Sequence, residues 1–270
     1  MSLFDLSGKI AIVTGGTKGI GRGIAEQLVL HGARVVVSSR SQADCDAVAA
    51  EVNAAHGAGK AVGIACDLTS LADVESLPGK ANAAMGGLDI LVANAAILPF
   101  IGPSAKTPPE MFDQIVAVNT HHNFRMCQAA RPFLKARGGG SIVLIGSNSG
   151  HNPSANIMAY AIAKAGVSHM ARCIADEFVV DDIRVNCVSP GLIRSFSSTP
   201  IWDNPKMLEA MTKEIPLKRI GEPEDIAGAV IFLSSRAGSY ISGDTIIVDG
   251  GRTQLSKPTT GKSALEEAMT

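Results

Sequence analysis

Seven short, almost wholly apolar runs alternate along this chain with longer segments of helical periodicity. Strands that are apolar on both sides are typical of parallel sheets covered by helices on both faces. The predicted strands are 9–14, 34–38, 61–66, 89–93, 141–145, 183–188 and 245–248. The predicted helices lie near 20–30, 42–55, 70–85, 109–136, 155–179 and 223–235. Joined by right-handed crossovers, these elements predict an α/β fold, a doubly wound parallel sheet of about seven strands.

The chain is interpreted as one domain followed by a short tail. Its 270 residues suit a single α/β domain, and no repeat or linker interrupts residues 1–250. Residues 192–218 form a long insertion that we predict to be irregular. Because it follows the end of a strand, where such folds bind ligands, we interpret it as a substrate lid. Residues 251–270 form a polar tail in which 264–269 suit one helical turn.

Composition argues against several classes of protein. A net charge of -1 lacks the basic excess of a nucleic-acid-binding protein. The five cysteines are dispersed without a C-x-x-C pair, which is typical of reduced thiols. The N-terminus lacks the pattern of a signal peptide, and no apolar stretch is long enough to cross a bilayer. We therefore expect a cytoplasmic protein with no nucleic-acid or membrane partner.

A glycine-rich turn joins the first predicted strand to the first helix, with the spacing G-x-x-x-G-x-G over residues 15–21. Glycines allow the backbone to approach a pyrophosphate, whose charge is stabilised by free N–H groups and the helix dipole. The spacing differs from the usual G-x-G-x-x-G, and such a turn alone is also typical of an ordinary tight turn. Its place in the first strand–helix unit favours dinucleotide binding in a Rossmann-type fold.

The end of the second predicted strand indicates which dinucleotide is bound. An acidic residue there would accept hydrogen bonds from a free ribose 2′-hydroxyl. This chain instead has Ser39 and Arg40, and Lys18 lies in the glycine-rich turn. A guanidinium, a hydroxyl and a second cation suit a 2′-phosphate, although Arg40 could also be a solvated strand end. The pattern favours NADP(H) as the cofactor.

Tyr160 and Lys164 are spaced i, i+4 on a predicted helix downstream of Ser147, which ends the fifth strand. This spacing places both side chains on one helical face. An adjacent ammonium and the positive nicotinamide ring of an oxidised cofactor both stabilise phenolate, so we expect them to lower the pKa of Tyr160 towards the working range of an acid–base catalyst. A tyrosine and a lysine at this spacing are more often a surface pair, and the inference depends on the combination with Ser147.

Taken together, the motifs resemble the classical short-chain dehydrogenase/reductase family over roughly residues 5–250. The matching segments are Thr14-Gly15-x-x-x-Gly19-Ile20-Gly21, Asp67-Leu68, Asn94-Ala95-Ala96, Val118-Asn119, Ser147, Tyr160-x-x-x-Lys164, Asn186-x-Val188-x-Pro190-Gly191, Gly221-x-Pro223-Glu224-Asp225 and Val248-Asp249-Gly250-Gly251. The resemblance implies an NADP(H)-dependent oxidoreductase that interconverts a ketone and a secondary alcohol.

The resemblance also implies a role for each of four catalytic residues. Tyr160 would protonate the carbonyl oxygen during reduction and act as the base in oxidation. Ser147 would orient that oxygen, and Lys164 would hold the nicotinamide ribose while lowering the pKa of Tyr160. Asn119 would anchor a water that links Lys164 to solvent.

The expected cofactor-binding residues come from the turn, the second strand and the resemblance. They are Gly15, Thr17, Lys18, Gly19, Ile20, Gly21, Ser39, Arg40, Asp67, Leu68, Asn94, Ala95, Ala96, Tyr160, Lys164, Pro190, Gly191, Ile193 and Ser195. The chain departs from the family at Ala96, where glycine is usual, at Ser195, where threonine is commoner, and in its longer tail.

The remaining expectations concern the substrate, the assembly and competing functions. The predicted pocket is mostly apolar and suits a hydrophobic carbonyl compound. Its residues are Ile97, Leu98, Phe100, Ile157, Met158, Phe196, Ile201 and Trp202. The predicted helix at 155–179 is apolar on nearly all sides, which favours a homo-oligomer, a dimer or a tetramer.

Other histidines and other functions carry less weight. We expect no metal site, because the adjacent His121 and His122 point to different sides of a helix. His151 is expected at the pocket mouth, where it either contacts substrate or is a loop residue without function.

The alternative functions are a reductase of 3-oxoacyl thioesters on a carrier protein and a non-catalytic NADP(H)-binding sensor. A sugar-nucleotide epimerase is disfavoured, because the chain is too short for the usual substrate domain.

Overall fold

The seven predicted strands form one parallel sheet in the structure, a computed structural model that describes residues 2–255. The strands are β1 (Ile10–Thr14), β2 (Arg34–Ser39), β3 (Ala61–Ala65), β4 (Ile90–Ala93), β5 (Gly140–Ile145), β6 (Ile183–Pro190) and β7 (Thr245–Val248). Their order is β3-β2-β1-β4-β5-β6-β7, and every neighbouring pair is parallel. The doubly wound Rossmann-type sheet predicted from the sequence is confirmed.

Helices cover both faces of this sheet. They are α1 (Gly19–Leu30), α2 (Gln42–His56), α3 (Leu71–Met85), α4 (Pro109–Val116), α5 (Asn123–Ala136), α6 (Met158–Phe178), α7 (Thr199–Trp202), α8 (Pro205–Lys213) and α9 (Pro223–Ser234). Short 3₁₀ turns occur at Ser104–Lys106, Asn148–Gly150, Val179–Asp181, Phe196–Ser198 and Arg236–Gly238. One apolar core lies under α3, α5 and α6, and a second lies under α1, α2 and α9.

Two predicted segments differ from the structure. The continuous helix expected at 109–136 is interrupted by a π-helix, Ala117–His122, between α4 and α5. The insertion at 192–218, expected to be irregular, contains α7 and α8. The second of these helices is specified locally, because the Asn204 side chain accepts the N–H groups of Lys206 and Met207. Pro205 fits its first turn, where no N–H donor is needed.

The strand order places a crevice at the carboxyl ends of the central strands. The connections from β1 and β4 leave in opposite directions, so the loops that follow these neighbouring strands separate. Open parallel sheets bind ligands at this switch point. The loops that meet there are 15–18, 94–97, 146–157 and 191–195, which hold most of the residues singled out from the sequence.

Within residues 2–255, none of the helices has the length and apolar character needed to cross a bilayer. The predicted helical turn at 264–269, like the rest of the tail beyond residue 255, lies outside the described residues.

Candidate active site

Ser147, Tyr160 and Lys164 come together at the carboxyl end of β5. Ser147 follows that strand closely, while Tyr160 and Lys164 lie in the first two turns of α6. The Lys164 Nζ atom donates to the carbonyl oxygen of Ile145 at 2.6 Å and lies 5.6 Å from the centroid of the Tyr160 ring. Lys164 is 2% exposed, which is unusual for a lysine without an acidic partner.

Burial shifts the pKa values of the tyrosine and the lysine in opposite directions. It raises the pKa of Tyr160 to about 12, and the neighbouring Ser147 side chain opposes this shift. Burial lowers the pKa of Lys164 to about 8. In both groups the apolar surroundings disfavour the charged form. The expected lowering of the pKa of Tyr160 therefore does not occur in the protein alone, where this side chain is a protonated acid.

Asn119 lies in the π-helix and is fully buried. Its side chain accepts the N–H of Ile97 at 2.9 Å and donates to the carbonyl of the same residue at 2.8 Å. The Asn119 carbonyl accepts the side-chain amide of Asn123 at 2.8 Å. Asn119 thus joins the helix to the loop after β4, beside the crevice. A carbonyl oxygen has a second lone pair, so the expected water remains compatible with this arrangement.

The glycine-rich turn packs so closely against the neighbouring loops that two of its positions have no room for a side chain. A Cβ atom on Gly21 would meet the Gly15 carbonyl oxygen, and it would lie 2.6 Å from the Asn94 amide nitrogen. Gly19 has φ of +53°, and a Cβ there would lie 2.9 Å from Ser195. No side chain caps the N-terminus of α1, so its N–H groups remain available to an anion.

Thr14, which the sequence analysis left without a role, joins the two walls of the crevice. Its hydroxyl accepts the N–H groups of Asn94 and Ala95, each at 3.0 Å. The Asn94 side chain donates to the Thr14 carbonyl at 2.8 Å. Thr14 belongs to the glycine-rich motif, so its place in that motif could have indicated this structural role. Ala96 is exposed at the same edge, and its methyl group adds to the crevice surface.

Ser39 and Arg40, which are expected at the ribose 2′ position, lie at the end of β2, and Asp67 and Leu68 follow the neighbouring strand β3. Arg40 is exposed, and its positive charge contributes to lowering the pKa of Asp67, after the larger effect of the Thr69 backbone N–H. The Ser39 hydroxyl lies 3.3 Å from the sulfur of Cys45. Leu68 is 6% exposed and packs in the core, which leaves only its backbone for contact with an adenine.

The insertion begins in contact with the glycine-rich turn. The ammonium of Lys18 lies 5.4 Å from the centroid of the Phe196 ring, so this lysine is turned towards the insertion. The Ile193 side chain is buried in the core, which leaves its backbone to face a ligand. The Trp202 indole donates to the Ser195 carbonyl at 2.9 Å, which fixes α7 against the start of the insertion.

The predicted pocket residues divide into three groups. Phe100 packs against the same small apolar cluster as Tyr160, together with Phe112, which the sequence analysis did not single out. Leu98, Met158 and Phe196 are exposed apolar side chains around the crevice, the last at 75% exposure. Ile97, Ile157, Ile201 and Trp202 are partly buried. Phe100 and Phe112 therefore place apolar surface next to Tyr160.

His151 is joined to the end of β6. Its Nε2 atom lies 3.0 Å from the hydroxyl of Ser189, the residue before Pro190. His122 hydrogen-bonds through Nδ1 to the Leu68 carbonyl at 2.7 Å. Among residues 2–255, no three His, Cys, Asp or Glu side chains converge in a way that could hold a metal ion.

Comparison with known proteins gives matches over nearly the whole chain. A family described as enoyl-(acyl carrier protein) reductase matches residues 15–253. Dehydrogenase/reductase SDR family member 4 of Bos taurus is 39% identical over 247 residues, which cover 91% of this chain and 88% of that protein.

Two solved structures with nucleotide cofactors share the fold. A 7α-hydroxysteroid dehydrogenase in complex with NADH and 7-oxo glycochenodeoxycholic acid is 34% identical, with a TM-score of 0.86, and the match covers 93% of this chain and 97% of that one. The Pseudomonas aeruginosa RhlG/NADP active-site complex is 33% identical, with a TM-score of 0.87, and the match covers 94% and 99% of the two chains. The first holds NADH and the second NADP.

Proposed function

This chain belongs to the short-chain dehydrogenase/reductase family, and from that premise we propose that it reduces hydrophobic ketones to secondary alcohols with NADPH, and catalyses the reverse oxidation. The family assignment makes it an oxidoreductase that acts on CH–OH and C=O groups with a nicotinamide cofactor. The substrate class and the preference for NADP(H) are our proposal.

The observation that carries the proposal is the buried lysine beside a protonated tyrosine and a serine in the crevice. Tyr160 gives its phenol proton to the carbonyl oxygen, which Ser147 orients by a hydrogen bond. Lys164 holds the ribose hydroxyls of the nicotinamide half. Asn119 holds the relay water that returns a proton towards Tyr160. When bound, the cofactor supplies the hydride.

The binding site for the cofactor is assigned to the crevice edge. The turn of residues 15–21 and the N-terminus of α1 hold the pyrophosphate, and the loop of residues 94–96 faces the adenosine ribose. Asp67 and the Leu68 backbone face the adenine. Residues 190–195 face the nicotinamide, with the backbone of Ile193 towards its carboxamide. The N-terminus of α1 supports this assignment, because no side chain caps its free N–H groups.

Oxidation of NADPH by the purified protein against a panel of carbonyl compounds tests the function. We expect turnover of bulky apolar ketones, because Phe100 and the exposed apolar side chains of the crevice favour such substrates. The panel includes small polyols, assayed in the oxidative direction, and 3-oxoacyl thioesters of a carrier protein. Turnover confined to either of these two groups would refute the hydrophobic-ketone assignment.

The preference for NADP(H) is tested by Arg40→Ala. A guanidinium paired with a 2′-phosphate contributes about 1.5–3 kcal/mol, so the Kd for NADPH should rise about tenfold or more. The Kd for NADH should change little, because NADH has no such phosphate. Fluorescence titration with both nucleotides measures the two constants. Arg236→Ala, a change at an exposed arginine away from the crevice, serves as the control. Equal weakening of NADH and NADPH by Arg40→Ala would contradict the assignment.

The insertion of residues 192–218 is assigned as the substrate lid. Its start lies against the glycine-rich turn, and its apolar side chains Phe196, Ile201 and Trp202 are available to cover a substrate. The placement of α7 and α8 after β6 supports this role, since ligands bind beyond the carboxyl ends of the strands.

The protein is proposed to be a homo-oligomer, a dimer or a tetramer, joined through α6. The first half of this helix exposes apolar and small residues, Ile162 at 48%, Ala165 and Gly166, whereas its second half exposes charged side chains. A second copy would remove this surface from water. Light scattering at micromolar protein measures the state, and a monomeric mass would exclude the proposal.

The cytoplasm is the proposed location. All five cysteines are free thiols, and four of them are buried, as suits a reducing compartment. Fractionation of the source cells tests this proposal, and recovery of the protein in an organelle fraction would reject it.

A further inference from the structure

The segment that follows β7, residues 249–253, closes on itself through one carboxylate. The Asp249 side chain accepts the N–H of Gly251 at 3.0 Å and that of Thr253 at 2.8 Å. It also accepts the Thr253 hydroxyl at 2.6 Å. These bonds make a compact turn, which we call the C-terminal clasp. The clasp lies beside the cofactor edge, because a Cβ on Gly191 would meet the Asp249 Cβ at 2.6 Å.

The loop that carries Ser147 is docked on this clasp by two amides. The Asn148 side chain donates to the Asp249 carboxylate at 3.3 Å, and the Asn152 side chain donates to the Thr253 hydroxyl at 2.8 Å. Asn148 is the neighbour of Ser147 in the chain. The two amides hold the loop near both ends of its 3₁₀ turn, Asn148–Gly150.

The clasp also contacts the region that follows α8. Arg252 forms an ion pair with Glu214 at 2.6 Å, just beyond the end of that helix. The N–H of Leu217 donates to the Gly250 carbonyl at 3.1 Å. The same short segment therefore touches the catalytic loop on one side and the insertion on the other.

We propose that Asp249 and Thr253 are positioning residues, which fix the Ser147 loop in its reactive orientation and join it to the insertion. The proposal rests on the function proposed above, since it gives Ser147 a substrate oxygen to orient. Thr253 is central because its hydroxyl both donates to Asp249 and accepts from Asn152. Removing this hydroxyl releases the loop without removing a residue that would touch substrate or cofactor.

The test compares Thr253→Val with Thr245→Val. Valine keeps the shape of threonine, and the Thr245 hydroxyl in β7 is buried without a hydrogen-bond partner, so that variant controls for the change itself. In Thr253→Val we expect kcat to fall about tenfold through misplacement of Ser147. The KM for NADPH should stay as in the wild type. Amide hydrogen exchange over residues 147–152 should be faster in Thr253→Val than in Thr245→Val.

A second variant, Asn152→Ala, breaks the same hydrogen bond from the other partner. Asn152→Ala and Thr253→Val should have the same effects on kcat and on amide exchange. The double variant should lose little more kcat than either single variant. Unchanged exchange in both single variants would overturn the docking of the loop. Faster exchange with unchanged kcat would overturn the positioning role. The exchange measurement does not depend on substrate. A wild-type protein that reduces no carbonyl would thus count against the proposed function alone.

Discussion

Replacing Tyr160 with phenylalanine is expected to reduce kcat for carbonyl reduction by about a thousandfold. The substitution removes the proton that must reach the carbonyl oxygen, while the ring remains packed beside Phe100 and the neighbouring apolar cluster. The Kd for NADPH should change by less than threefold, since the proposed pyrophosphate and 2′-phosphate sites are untouched. Steady-state kinetics and nucleotide titration measure the two effects separately.

This substitution also distinguishes an enzyme from a non-catalytic sensor of NADP(H). A sensor would keep both its nucleotide affinity and its biological response in Tyr160→Phe. Tyr240→Phe is the matched control, because the other tyrosine of the chain is fully exposed. Retention of more than a tenth of the wild-type turnover by Tyr160→Phe would reject the acid–base role of this residue.

Replacing Lys164 with methionine is expected to lower kcat about a hundredfold and to change how stability depends on pH. The pKa of this lysine is about 8 in the folded protein, below its usual value of 10.5. Burial of the ammonium therefore lowers the free energy of unfolding, and this destabilisation is fully present below pH 8. It is relieved as pH rises from 8 towards 10.5, because the unfolded chain binds more protons over this range.

Urea unfolding at a series of pH values measures this effect. The free energy of unfolding of the wild type, relative to Lys164→Met, should rise by about 1 kcal/mol per pH unit between pH 8 and 10. The raised pKa values of Cys66 and Cys127 affect both proteins equally and cancel in the difference. Lys80→Met, a change at an exposed position, retains Lys164 and should therefore keep the rise relative to Lys164→Met. A parallel course of the wild type and Lys164→Met would contradict the burial of the charge.

The sheet could be predicted because its signal is repeated and local. The inner strands are almost wholly buried on both faces, so each contributes a continuous apolar run whatever its neighbours are. The π-helix at Ala117–His122 has no such signal, since its register depends on a long-range bond between Asn119 and Ile97. The helix α8 did have one, the pair Asn204-Pro205. It was hidden in a segment whose serines and prolines are typical of loops.

The sequence was enough to predict which residues form the site, but not their pKa values. Spacing placed Tyr160 and Lys164 on one helical face, and the structure brings both beside Ser147. Spacing alone contains no information on burial, and burial determines both pKa shifts. The clasp was also missed, because Asn148 and Asp249 are 101 residues apart and meet only in the folded chain.

The hydroxyl of Thr14 accepts two backbone N–H groups from the opposite wall of the crevice. The loops after β1 and β4 are therefore already joined before a dinucleotide binds, so binding needs to order little of this backbone. A flexible loop would lose conformational entropy on binding. Here that loss occurs during folding, so the contacts with the ligand contribute more fully to affinity.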